Sequence, residues 1–278
     1  MPTAQTPPNK LWLLLAVSFP AVFVNIGHGH NGFLTAALLG GGLVLLDRRP
    51  IVAGILLGLL AYKPQFGLMI PLVLAVGGRW RTMASAAATV GALAVATLLA
   101  FGVDAWNAFL GSAYFTRVIV LEQGGAGWHK MQSVFSWVRM WGGAVPLAYA
   151  AQGAIMLALA AGLAWLWRSP AAFALQAAAL ALAALLATPY SLDYDMMVLA
   201  PAIAFLVGNG LAHGFAPYEK TALAALWLVP LIARAVAQVT FIPLGPIIIV
   251  VTFALLLGRA SRECGTSSQW QPARETAK

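Results

Sequence analysis

The chain has 278 residues, 61% hydrophobic and only 9% charged, with a mean hydropathy of +0.85, whereas soluble globular chains carry about 25% charged residues. That balance excludes an ordinary water-soluble domain, and a lone cysteine, Cys264, excludes an intrachain disulfide and a cysteine-based metal cluster. The net charge of +8 and pI near 10.1 therefore point to basic loops that orient spans in a bilayer, not to nucleic acid.

Lys10 precedes the apolar run LWLLLAVSFPAVFV, and no small-residue cleavage site follows, so a retained first span is expected rather than a signal peptide. Further runs, bounded by charge or by Pro and Gly, predict spans near 11–26, 32–46, 50–62, 65–78, 82–103, 144–167, 171–188, 194–209, 220–238 and 241–258. The run 51–62 is short, about 18 Å at 1.5 Å per residue. The expected fold is all-α: a polytopic transmembrane helical bundle of about ten spans in one domain, 1–262. It carries one long extracytoplasmic loop near 104–143 and ends in a polar cytoplasmic tail, 263–278. Gly54 and Gly58 form a G-x-x-x-G that suits close helix packing.

A cytoplasmic C-terminal tail (Arg259, Arg262, Arg274, Lys278) places Lys220, Arg168, Arg79, Arg81, Arg48, Arg49 and Lys10 on the same side, eleven of the sixteen basic residues. Both termini are then cytoplasmic. The opposite face collects NIGHGHN (25–31), YKPQ (62–65), the loop 104–143 and TPYSLDYD (188–195). Long loops in compact proteins are mostly functional, so a site on the outer face is expected.

Lys63 follows an apolar run and precedes Pro64, which frees backbone groups; it is a snorkelling anchor or a phosphate contact, with Gln65 beside it. His28, His30 and Asn31 form a glycine-punctuated turn that could be plain turn chemistry, hydrogen bonding to a polar ligand or, less naturally, a metal site. Of Asp193 and Asp195, the first suits a helix cap and the second a general base. Arg117, Glu122, His129, Lys130 and Gln132 lie in or near the expected loop, either solvated or on substrate. Arg234 interrupts an apolar span and needs an anion, a carboxylate or Gln238 as partner. No nucleotide-binding glycine loop and no internal repeat are visible.

The blocks GHNGFLTAALLGGGLVLLDRRP, LLAYKPQFGLMIPLVLAVGGRWR, VLEQGGAGWHKMQSVFSWVRMWG and LLATPYSLDYDMMVLAPA, in that order, resemble glycosyltransferase family 87, bacterial membrane enzymes of the GT-C superfamily. The resemblance covers about residues 20–205. It implies inverting transfer of a hexose, typically mannose, from a polyprenyl-phosphate donor to a lipid or glycan acceptor on the outer face of the bacterial cytoplasmic (inner) membrane. No cofactor and no nucleic acid are implied. Lys63, Arg234 and one of His28 and His30 would form the phosphate side. His30 stands where the family usually has Gln, so a titratable ring replaces an amide. The resemblance also implies an acidic residue in the first external loop, and 27–31 has none; the chain is expected to begin downstream of that part, or to use Asp193, Asp195, Asp104 or Glu122 instead. A polyprenyl-lipid-binding or scaffold protein, or a transporter, is the rival reading.

Overall fold

The computed structural model describes residues 10–269. Residues 1–9 and the outer part of the predicted tail, 270–278 with Arg274 and Lys278, lie outside the described residues. Twelve α-helices follow one another: α1 (Lys10–Val17), α2 (Pro20–His28), α3 (Gly32–Leu45), α4 (Pro50–Leu59), α5 (Ile70–Val76), α6 (Trp80–Phe115), α7 (Val134–Met140), α8 (Val145–Arg168), α9 (Phe173–Leu186), α10 (Leu199–His213), α11 (Glu219–Thr240) and α12 (Leu244–Gln269). Among the described residues there is no strand, only one antiparallel bridge between Met131 and Leu192.

Two expectations change. Five helical stretches are long and apolar enough to cross a membrane, Trp80–Glu122, Val145–Arg168, Asp193–His213, Glu219–Thr240 and Leu244–Cys264, or six if α1 and α2, bent by 40°, act as one. The segments 32–45, 50–62, 64–76 and 173–186 are apolar but shorter than the ten-span reading assumes. The predicted long loop is not a loop over much of its length. Helix α6 runs through Asp104 to Phe115, residues 116–122 continue it with wider turns, and α7 fills 134–140. The physical reason is apolar continuity: 105–121 offers Trp106, Phe109, Leu110, Tyr114 and Phe115 on a helical path, and a single Asp104 does not end a helix. Gly102, at φ 76°, instead breaks it locally.

Helix α9 is the centre of the bundle. Its Ala/Leu sequence has no polar face, and Leu175 and every residue from Ala177 to Leu186 are buried, as a helix apolar all round must be. Helices α8, α10 and α12 pack around it. On the flank, α4 lies on α6 with Gly54 and Gly58 at the contact. A Cβ on Gly58 would sit 2.7 Å from the carbonyl oxygen of Ala86, and Ser85 Oγ donates to the Ile51 carbonyl at 2.8 Å. The G-x-x-x-G thus permits the close approach expected of it.

The helix ends sort into two groups. At one end Arg79 pairs with Asp47 at 2.6 Å, Gly77 lies against the Trp167 ring, and Arg259 is buried in a 2.6 Å pair with Glu219. At the other end the α2–α3 turn, residues 62–66, 128–132 and 188–195, and the end of α11 meet. Buried Asn25 fastens that end: its amide donates to the carbonyls of Ala21 (2.9 Å) and Tyr194 (2.7 Å), while its oxygen accepts the Gly32 N–H (2.9 Å).

Replacing Asn25 by Ala strands the Tyr194 carbonyl and the Gly32 N–H, at about 1–3 kcal/mol for each unsatisfied group. Thermal melts in lipid nanodiscs are expected to show a clear loss of stability; an unchanged melt refutes the clamp. Gly58→Val is expected to separate α4 from α6 and to lower the melting temperature by a similar margin, while Gly91→Val, where nothing lies within 4 Å, leaves it unchanged.

Candidate functional site

Proline and glycine shape the local backbone around the site. Pro64 ends α4's continuation at Tyr62 and starts a tight turn over Pro64–Gly67, leaving Lys63 extended between the two. Lys63 Nζ therefore projects inward and meets Asp195 Oδ1 at 2.7 Å, with side-chain exposures of 15% and 2%. Asp195 Oδ2 accepts the Leu192 N–H at 3.0 Å, so Asp195, not Asp193, closes the first turn of the Asp193–Val198 segment. That reverses the capping expected for the pair.

Asp193 sits on the same turn. Its Oδ1 accepts the Tyr194 N–H at 2.9 Å, and its Oδ2 faces Arg234 at a loose 3.5 Å. The same guanidinium nitrogen of Arg234 lies 3.2 Å from His28 Nε2, while His28 Nδ1 lies 2.8 Å from the Val24 carbonyl. Only a proton on Nδ1 satisfies both contacts: the ring donates to Val24 and accepts from Arg234. His30 stacks on Tyr194 at 3.7 Å between ring centroids, and Lys63 Nζ lies 5.1 Å from the same ring. Tyr194 thus contacts both an imidazole and an ammonium, and its carbonyl is fixed by Asn25.

Around this core, the Tyr62 hydroxyl bonds to Thr35 Oγ1 and donates to the Asn31 carbonyl at 3.3 Å. The Gln132 N–H donates to the Ser191 carbonyl at 2.7 Å, next to the Met131–Leu192 bridge, which joins the 128–133 segment to the Asp-bearing turn. The side chains of Gln132 and Ser191 are buried, and neither Gln132 amide atom nor Ser191 Oγ has a hydrogen-bond partner among the described residues. Burial, then the charge of Asp195, pushes the Tyr190 phenol above its usual range. Burial, then Lys130 and Arg234, lowers His129, favouring its neutral ring.

The site residues expected from sequence fall into three groups. His28, His30, Lys63, Asp193, Asp195 and Arg234 converge, Asn31 and Gln132 border them through the backbone, and His129 is near enough to feel Arg234 and Asp193. Gln65 and Lys130 neighbour the cluster in sequence, and no bond of their side chains joins it. Arg117 and Glu122 stand elsewhere: they pair with each other at 3.5 Å, and Glu122 accepts the Tyr149 hydroxyl at 2.9 Å. Asn25 and Tyr194 join the site without a role expected from sequence, and Tyr62, expected only as an aromatic partner of Lys63, bonds to Thr35 and Asn31. An isolated amide in an apolar helix ahead of GHGHN was the available signal for Asn25. Among the described residues no three His, Cys, Asp or Glu side chains group closely enough to hold a metal ion.

A family model, glycosyltransferase family 87, matches residues 2–189. The matched region carries His28, His30, Asn31, Lys63, Gln65 and Gln132 and stops short of Asp193, Asp195 and Arg234, which the fold returns to the same place. No curated protein and no solved structure matches the chain. With well over half of its length inside that match, the chain belongs to glycosyltransferase family 87.

Proposed function

We propose that this membrane glycosyltransferase transfers a hexose, mannose foremost, from a polyprenyl-phosphate donor to a lipid or cell-envelope acceptor on the extracytoplasmic side of the bacterial inner membrane. The observation that carries this reading is the meeting of Arg234, His28 and Asp193 beside the buried Lys63–Asp195 pair. This end of the bundle lies opposite the one holding Arg79 and its Asp47 partner, so the positive-inside rule favours an outward-facing site and cytoplasmic termini. In this reading α3 and α9, about 21 Å for fourteen residues, and the helical segments 50–62 and 64–76 that contain α4 and α5, about 20 Å each, also pass from one face to the other, which gives ten passages in all.

The chemistry follows from the pairings. Asp193, held loosely by Arg234, takes the proton of the acceptor hydroxyl. The hydroxyl oxygen forms a bond to the sugar's C1, the bond from C1 to the phosphate oxygen breaks, and its electron pair leaves on the polyprenyl phosphate, inverting the anomeric centre. Arg234 and Lys63 neutralise the departing phosphate. Asp195 aims Lys63 rather than reacting, and His28, His30, Asn31, Gln65, Lys130 and Gln132 supply hydrogen-bonding groups around the sugar and phosphate. Arg117 and Glu122, occupied by each other and by Tyr149, take no part. One observation favours a second reading, a polyprenyl-lipid-binding protein without transfer: both carboxylates already face a cation.

Transfer of radiolabel from polyprenyl-phosphate-mannose and polyprenyl-phosphate-glucose to membrane lipid, by protein in nanodiscs, separates the readings. Asp193→Asn is expected to lower kcat by roughly 10²–10⁴-fold with little change in donor KM. Arg234→Ala is expected to lower kcat by about 10²–10³-fold and to raise donor KM. Donor binding without transfer from either sugar supports the second reading. Lys63→Met and Asp195→Leu each leave one buried charge uncompensated and are expected to cost about 3–5 kcal/mol singly. The double substitution recovers most of that stability in melts and none of the activity; additive losses contradict the pairing.

A further inference from the structure

One helical turn beyond Arg234, the end of α11 and the segment 124–131 form an open cavity of about 260 Å³, lined by Trp128, His129, Met140, Ala237, Gln238 and Phe241 together with Gly124 and Gly127, with Gln238 and Phe241 at its exposed edge. Its walls are set in place before any ligand arrives. Trp128 Nε1 donates to the Leu121 carbonyl at 2.8 Å, and the Arg139 guanidinium lies 4.8 Å from the indole. With its N–H engaged, Trp128 offers the cavity carbon surface only. Gly124 and Gly127 both have positive φ, and a Cβ on either would lie 2.6 Å from a ring atom, of Trp128 and of His129 respectively. Only glycine lets both rings lie this close to the loop. On the opposite wall Phe241 holds φ 58°, an uncommon conformation for an aromatic residue, and its carbonyl accepts Trp141 Nε1 at 2.8 Å.

The lining is amphipathic in a particular way. Apolar ring faces come from Trp128 and Phe241. Donor and acceptor groups come from Gln238 and from His129, whose ring burial favours as neutral and so able both to donate and to accept. No charged side chain lines the cavity. At about 260 Å³ the cavity lies just below the roughly 300–1,000 Å³ of small-molecule sites, a size for one saturated ring bearing hydroxyls, whose C–H faces pack on aromatic carbon while its hydroxyls take the amide and the imidazole. An isoprenoid chain would leave the polar groups without partners.

We propose that this cavity is a saccharide subsite that holds one sugar ring of the acceptor beside the Arg234–Asp193 pair, with Gln238 and His129 binding its hydroxyls. The inference rests on the transferase reading for the word acceptor, and on the cavity alone for the word saccharide. Its test therefore measures binding without reaction: saturation-transfer NMR of methyl α-mannopyranoside and methyl α-glucopyranoside, at millimolar concentration, with the full chain in nanodiscs, and farnesol as competitor. At least one glycoside is expected to receive saturation on its ring protons. Gln238→Leu, an exposed position where folding is preserved, and Phe241→Gly, which relieves the backbone, are each expected to reduce that signal at least fivefold with unchanged melting. Absence of saturation for both glycosides, an undiminished signal in Gln238→Leu, or displacement of the glycoside by farnesol overturns the subsite. Glycoside binding that persists where no sugar transfer is measurable refutes the transferase reading and leaves the subsite standing.

Discussion

The pairing of Lys63 with Asp195 is the interaction on which the site's architecture depends. Moving a carboxylate into a helical bundle in lipid is costly, and the cost is met here by an ammonium at 2.7 Å and a backbone N–H at 3.0 Å. Such a pair contributes little net stability compared with apolar packing. Its value is positional: two chain segments 132 residues apart are held in one register. Tyr194 contacts both Lys63 and His30, so a shift of its ring disturbs both.

The irregular backbone gathers in one place. The turn at Pro64–Gly67, the tight helical turns of Asp193–Val198 and the lone Met131–Leu192 bridge all meet at one end of the bundle. Free N–H and carbonyl groups at membrane depth are tolerated only when buried in protein or lining a wet cavity. Asn25 plays that part for Tyr194 and Gly32, and Gln152 for the Phe135 N–H and the Leu186 carbonyl. Two amides thus substitute for the missing helical bonds.

Hydropathy and the positions of Lys and Arg made the helical class and the two-ended distribution of polar segments readable in the sequence. Lys63, Arg234 and the Asp193/Asp195 pair stood out because charge within apolar sequence needs a partner, and the structure pairs them with one another. Which aspartate caps was not readable, since both precede the same helical turn and only the inward path of Lys63 decides. The expected loop 104–143 failed for a related reason. Isolated charges such as Asp104 and Arg117 look like loop boundaries, but a helix that packs against little else leaves them exposed and continues. Tyr194 escaped notice because its role comes from stacking across chain segments, which no local pattern encodes.

Helix α9 is sheathed along its length and delivers the chain at Thr188 directly into the turn that carries both aspartates. Thr188 Oγ1 accepts the Tyr190 N–H at 3.0 Å, so the exit from the helix is itself stiff. The packed helix and the turn that bears the aspartates are thus one continuous, hydrogen-bonded piece of backbone. Volume added at a buried alanine of this helix, such as Ala179 or Ala183, finds no free space and strains the same helix that leads into that turn. Packing of the bundle's interior and placement of the two aspartates are in this molecule tied to one helix.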